Sequence, residues 1–172
     1  INETIIDGSQ INSGSIIFIR ECENSYFEFN NFTIQNNNTI SDMSNGAIDL
    51  RGNSNSSIQI KNVDFKNNTS GANGGAIYAL DQDIYISNCS FENNSSSENI
   101  DYTFDGGALA FDRSNIYIED SNFNNNNSPQ RGGAIFAAEA EVNISNSMFL
   151  DNISAAGGAI YVNNSLINIS DS

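Results

Sequence analysis

The stretch Gly74-Gly75-Ala76-Ile77-Tyr78-Ala79, followed by Ile84-Tyr85-Ile86 and then Phe91-Glu92-Asn93-Asn94, recurs along this chain in constant order. Aligning the second glycine puts Gly46, Gly75, Gly107, Gly133 and Gly158 in register, each followed by Ala and then by Ile48, Ile77, Leu109, Ile135 or Ile160. A degenerate copy begins at Gly14, and the steps between copies are 32, 29, 32, 26 and 25 residues. Self-similarity at a fixed phase restricts the chain to a repeat architecture before any single residue is considered.

Within each copy the apolar positions fall in phase. Two residues after the Ile or Leu stand Leu50, Ala79, Phe111, Ala137 and Val162, and further on the pairs Ile58/Ile60, Ile84/Ile86, Ile116/Ile118, Val142/Ile144 and Ile167/Ile169. Gln59, Tyr85, Tyr117, Asn143 and Asn168 separate the members of each pair, which is the period-two alternation of short, half-buried strands. A third run ends at Phe65, Phe91, Phe123 or Phe149. Three strands per unit leave no room for a crossover helix, so an ordinary parallel sheet is excluded. If each unit is one turn of a coil, equivalent residues lie roughly 4.8 Å apart in successive turns and like side chains form interior columns. The expected fold is an all-β, right-handed parallel β-helix of about six coils. The insertion from Ser95 to Asp105 is expected as a loop bulging from one corner.

The spacing Phe-x-x-Asn recurs at Phe65/Asn68, Phe91/Asn94, Phe123/Asn126 and Phe149/Asn152, with Ile34/Asn37 as a weaker version. Together with Gly-Gly-Ala-Ile/Leu, this resembles the repeats of the polymorphic outer-membrane proteins of chlamydiae, a motif family also spread through eukaryotic surface proteins. The resemblance covers about five of the six units and implies a pectate-lyase-like β-helix at a cell surface rather than a particular activity.

Asn37, Asn68, Asn94, Asn126 and Asn152 hold a fixed place relative to the aromatic column, so they are expected to turn inward at a corner as a structural ladder, bonding the backbone and one another. The competing expectation is a set of water-facing turn formers. The Gly-Gly pair predicts a tight corner with positive φ, against which the next turn packs. A phosphate-binding loop is disfavoured, because neither a helix nor a suitably spaced Lys follows the glycines.

In chain order, Ile1 to Asn12 show neither the basic start nor the apolar run of a cleavable leader, as in a mature or excised segment. Residues 13 to 41 make the least regular coil, with Ile16/Phe18, Phe27/Phe29 and Ile34 expected inward and Arg20 to Glu23 as an exposed elbow. The last copy stops at Ser172, before its Phe-x-x-Asn. Residues 1–172 are therefore expected to be one β-helix domain within a longer repeat protein, or a fibre subunit that stacks head to tail through its unpaired strand edges.

Six Lys plus Arg against 21 Asp plus Glu give a net charge of −15, which sets nucleic acid and anionic lipid aside as partners. No segment is apolar enough to insert in a membrane. Asn supplies 31 of the 172 residues, and in isolation such a tract would read as disordered, yet the aliphatic columns argue for a packed core. Cys22 and Cys89 fall about two rungs apart, roughly 9.6 Å along the axis, and in different phases, beyond disulfide reach. Cys89 shares a column with Val63, Ser121 and Ser147 and is expected as a small core residue, leaving Cys22 for another chain or for none.

The absence of His removes imidazole bases, Ser-His-Asp triads and His-ligated metals. Since parallel β-helices include polysaccharide lyases and hydrolases, an enzyme of that type is the alternative function. Its candidates are Asp81 and Asp83, Asp112 with Arg113 in the equivalent place one turn on, and Glu139 with Glu141 beyond. Without a second basic residue nearby, that acidic stripe is expected to be a solvated face and the protein not an enzyme. No cofactor is expected, although carboxylates and Asn carbonyls suit weak calcium binding.

The densest modification signal is Asn-x-Ser/Thr, with fourteen occurrences. Sequons at Asn2, Asn31, Asn55, Asn67, Asn88, Asn93, Asn143, Asn163 and Asn168 are expected at outward or loop positions and able to carry N-linked glycans, whereas those on the ladder are expected to stay bare. The resulting expectation is a non-catalytic, extracellular or cell-surface glycoprotein, structural, fibrillar or adhesin-like. Its adhesive contacts are assigned to outward Tyr78, Phe136 and Tyr161.

Overall fold

A computed structural model describes residues 3–39, 44–52, 55–97 and 105–172, and in it every strand pairs in parallel with its equivalent one repeat away. No helix occurs among the described residues. The first face stacks six strands, Ile17–Arg20, Ile48–Arg51, Ile77–Leu80, Leu109–Asp112, Ile135–Ala138 and Ile160–Asn163. The second holds Asp83–Ser87, Asn115–Glu119, Glu141–Ser145 and Leu166–Ser170. The third holds Ser90–Glu92, Asn122–Asn124 and Met148–Leu150. In the early coils, Tyr26–Gln35 and Ser57–Lys66 run unbroken through both of the latter faces.

The register reproduces the predicted columns. Ile58, Ile84, Ile116, Val142 and Ile167 are mutual partners, as are Phe65, Phe91, Phe123 and Phe149. The phenylalanine rings stack face to face at 4.7–4.8 Å, adding aromatic attraction to their burial. Cys89 is buried in its Val63/Ser121 column, and burial pushes its thiol pKa up to about 11. Cys22 and Cys89 are not joined.

Corners are made by backbone in the left-handed region. Three such columns run along the axis: Asn36/Asn67/Asn93/Asn125/Asp151, Asn31/Asn62/Asn88/Asp120/Asn146/Asp171 and Glu21/Asp81/Arg113/Glu139/Asn164, all at φ between 46° and 60°. Of eighteen described non-glycine residues with positive φ, eleven are Asn and four Asp, the L-residues that tolerate this conformation best. Much of the asparagine content is thus spent on corners. The first glycine of each Gly-Gly pair has positive φ, and a Cβ on Gly75 would lie 2.5 Å from the carbonyl oxygens of Gly107 and Ser95. Both parts of the glycine expectation hold.

Two expectations of placement need correction. In the first coil Ile17, not Ile16, pairs with Ile48, so Gly14 (φ 87°) is equivalent to the first glycine of the pair, Gly74. That one-residue slip turns Phe18 outward, 55% exposed, and Ile17 and Ile19 inward, while Ile16, half-buried, packs against the core as expected. Of the expected bulge at Ser95–Asp105, residues 98–104 lie outside the described residues. Ser95–Ser96 is instead a short strand paired with Thr69–Ser70, which in turn pairs with Asn38–Thr39.

Candidate functional site

The inward asparagines form a continuous amide ladder. Asn68 Oδ1 accepts from the Asn37 backbone N–H at 3.1 Å. Asn94 Oδ1 accepts both the backbone N–H (3.1 Å) and Nδ2 (3.0 Å) of Asn68, and Asn94 Nδ2 donates to Phe65 O (3.0 Å) and Asn126 Oδ1 (3.1 Å). The pattern continues to Asn126 and Asn152, whose Nδ2 donates to Phe123 O at 2.9 Å. Asn37, Asn68, Asn94 and Asn126 are fully buried and Asn152 half-buried. The amides of Asn68, Asn94, Asn126 and Asn152 each bridge two coils at a corner where the sheets supply no partner, whereas Asn37 ends the ladder, its Nδ2 donating to Thr39 Oγ1 within its own coil. On Asn68, Asn94 and Asn126 both Nδ2–H groups are bonded inside the coil, which leaves no outward-facing hydrogen for modification.

The outward sequons lie where the period placed them. Asn31, Asn55, Asn67, Asn88 and Asn93 are exposed left-handed corners, Asn163 ends a strand, and Asn168 is exposed at mid-strand. Asn143 is half-buried, its Nδ2 donating to Glu141 Oε1 at 3.3 Å and its Oδ1 accepting from Asn168 Nδ2 at 2.9 Å. Asn2 lies outside the described residues.

Of the three residues assigned to adhesive contact, Tyr78 is 7% and Phe136 1% exposed, and Tyr161 is half-buried. They do point away from the coil interior, but the outer side of the first face is itself covered. The Arg51 guanidinium lies over Tyr78 at 5.3 Å and is held by both oxygens of buried Asp49. Arg131 lies over Tyr161 at 5.6 Å, and Phe136 stacks on Tyr161. Burial pushes the Tyr78 phenol pKa up to about 12.

Exposed aromatics lie elsewhere: Phe18 and Tyr26 in the first coil, and on the second face Tyr85 and Tyr117, which the sequence marked only as the polar-out partners of an alternation. Their rings stack at 4.8 Å with 7° between planes and, with Gln59, Lys61, Glu119, Asn143 and Asn168, line an open groove of about 500 Å³. Their membership of one outward column was legible; the groove was not.

The acidic stripe divides between columns. Arg113 shares the corner column with Asp81 and Glu139, while Asp112 pairs in register with Leu80, one residue earlier than the sequence placed it. Arg113 bonds both oxygens of Asp81 (2.9 and 3.2 Å) and reaches Asp112 at 3.1 Å. Burial raises the Asp112 carboxyl above its ordinary range, and Arg113 partly opposes this. Asp83 and Glu141 belong to a separate outward column through Asn115, whose Nδ2 donates to Asp83 at 2.8 Å. Among the described residues no group of three or more Asp, Glu, Cys or His side chains is arranged to hold a metal ion. No helix among them is long and apolar enough to cross a membrane.

No curated protein and no solved structure matches the chain. A family model described as a right handed beta helix region matches residues 2–172, and it supplies the hand of the coil. The parallel register, the interior columns and that match across nearly the whole chain agree, and the protein belongs to the right-handed β-helix family.

Proposed function

We propose that this β-helix is a non-catalytic, N-glycosylated structural and adhesive component of an extracellular surface or fibre. The carrying observation is the separation of its sequons. Eight described sequon asparagines lie at the surface, where a glycan projects into water without parting two coils. The Gly-Gly-Ala-Ile/Leu and Phe-x-x-Asn repeats, of the kind found in polymorphic outer-membrane proteins, support the same placement. So does the net charge of −15, which favours solubility over contact with anionic surfaces. Adhesive contact belongs to the exposed second face around Tyr85 in this proposal.

End-to-end assembly is part of it. Ile169 on the last coil is 53% exposed, and Ile160, Val162 and Ile167 are only partly covered. A further coil, from a longer chain or from a second copy, would extend every interior column. Intact mass before and after deglycosylation of protein from a eukaryotic secretory host tests the glycoprotein. Light scattering across a concentration series tests assembly: growth with concentration is expected, and a strict monomer at high concentration removes that part.

A polysaccharide-active enzyme is the second reading, and one observation favours it. Asp112, with its raised proton affinity, sits beside Arg113 and Asp81. Turnover of an acidic polysaccharide that Asp112→Asn abolishes would establish it; a lack of turnover is expected.

A further inference from the structure

The outward column of the second face runs Gln59, Tyr85, Tyr117, Asn143, Asn168 from coil to coil. The tyrosine rings are register partners 4.8 Å apart and nearly parallel, and this separation matches the rise between coils, so their stack runs along the helix axis. One face of Tyr117 therefore meets Tyr85, and the other is turned towards the coil of Asn143, its partner on that side. An asparagine amide is too short to cover a phenol ring. Tyr117 accordingly remains 40% exposed. Asn143 begins the sequon Asn143-Ile144-Ser145 and lines the same groove as the two tyrosines.

We propose that the occupant of this groove is the protein's own N-linked glycan on Asn143, its first sugar laid on the open face of Tyr117 as the third member of the stack. The proposal rests on the glycoprotein reading above. Attachment breaks one Nδ2–H bond and forms a bond from Nδ2 to the anomeric carbon of a glycosyl diphosphate donor. The diphosphate leaves with the electron pair of its anomeric bond, and the displaced proton goes to a base. The remaining Nδ2–H is still able to donate to Glu141, and Oδ1 still accepts from Asn168, so the hydrogen bonds that hold the amide survive modification. A pyranose presents a face of C–H groups, and the negative face of a phenol ring attracts their positive edge. Asn168, one coil further, has Asn143 rather than a ring beside it, which marks Asn143 as the site with a platform.

The test is a double-mutant cycle on the full chain from a eukaryotic secretory host: the native sequence, Ser145→Ala to remove the sequon, Tyr117→Ser, and both together. Site-resolved mass spectrometry reads occupancy at Asn143. The expected result is an occupied Asn143 and a Tm loss of about 2 °C on Ser145→Ala that vanishes when Tyr117 is already Ser. The same cycle on protein from a host that adds no glycan should show no coupling. As a second readout, the sugar C–H protons should show upfield ring-current shifts that disappear in Tyr117→Ser. An additive cycle with Asn143 occupied, or sugar protons without those shifts, overturns the stacking. A bare Asn143 beside other occupied sequons overturns the site but leaves the glycoprotein. No sugar on any sequon overturns both.

Discussion

Asn93 and Asn94 are neighbours of the same type with opposite fates. Asn93 is exposed at φ 54°, its Nδ2 donating to Oδ1 of an equally exposed Asn67 at 3.4 Å; Asn94 is fully buried, its side chain making four hydrogen bonds to the two adjacent coils. The same contrast repeats at Asn67/Asn68 and Asn125/Asn126. The left-handed corner swings the chain so that the next side chain points inward. There an amide can satisfy backbone groups that no strand reaches. Backbone handedness, not residue type, assigns the role.

The largest expected effect sharpens that division at the core. Ile86→Asp buries an unpaired carboxylate and removes apolar contact, and should cost at least about 5 kcal/mol and unfold the central coils. Its outward neighbour makes the control, since Tyr85→Asp should lose about 1 kcal/mol of stacking. Equal losses in chemical denaturation would contradict the register.

Next, Asn94→Ala strands the Asn68 amide and the Phe65 carbonyl, and should cost about 3–4 kcal/mol. Asn93→Ala should cost about 1 kcal/mol, for an L-residue without a side-chain amide in the left-handed region, and Asn93→Gly close to nothing. If the two alanine variants melted together, the ladder would be a minor contributor.

Gly75→Ala should cost about 2–3 kcal/mol, because its Cβ would meet backbone atoms of Ser95 and of Gly107 in the next coil, which cannot move independently. By contrast Gly52, at φ 61° with no atom of the described residues within 4 Å of an added Cβ, should lose only about 1 kcal/mol as Ala. Thermal melts separate crowding from conformational strain in this pair.

The smallest effect concerns the covered outer side of the first face. The folded-state pKa of Tyr78, at about 12, lies above the ordinary value of 10.0, so its contribution is intact below pH 10 and is lost as pH rises towards 12, where the unfolded chain ionises first. Tyr78→Phe should flatten the alkaline fall in stability over that window. An unchanged slope would mean that the phenol is in contact with water.

Period-two alternation decides which way a side chain points within a strand, a local property, so the interior columns, the Phe-x-x-Asn ladder and the outward sequons were all legible before any coordinates. Repetition strengthened each assignment, because a column either agrees across coils or fails. The degenerate first copy lacked that support, and there the alignment slipped by one residue, exchanging Phe18 for Ile17. What lies over an outward side chain is not local. Tyr78 and Tyr85 both point away from the interior, yet Arg51, held by Asp49, covers the first, while the second stands open beside Tyr117. Likewise the bonding of Asp81 and Asp112 by one arginine needed the coil-to-coil register. Sequence by itself determined the coil and its two sides, because strand geometry ties side-chain direction to residue parity; only the tertiary structure decided which outer face is covered and which is left open, because that depends on groups brought together from different coils.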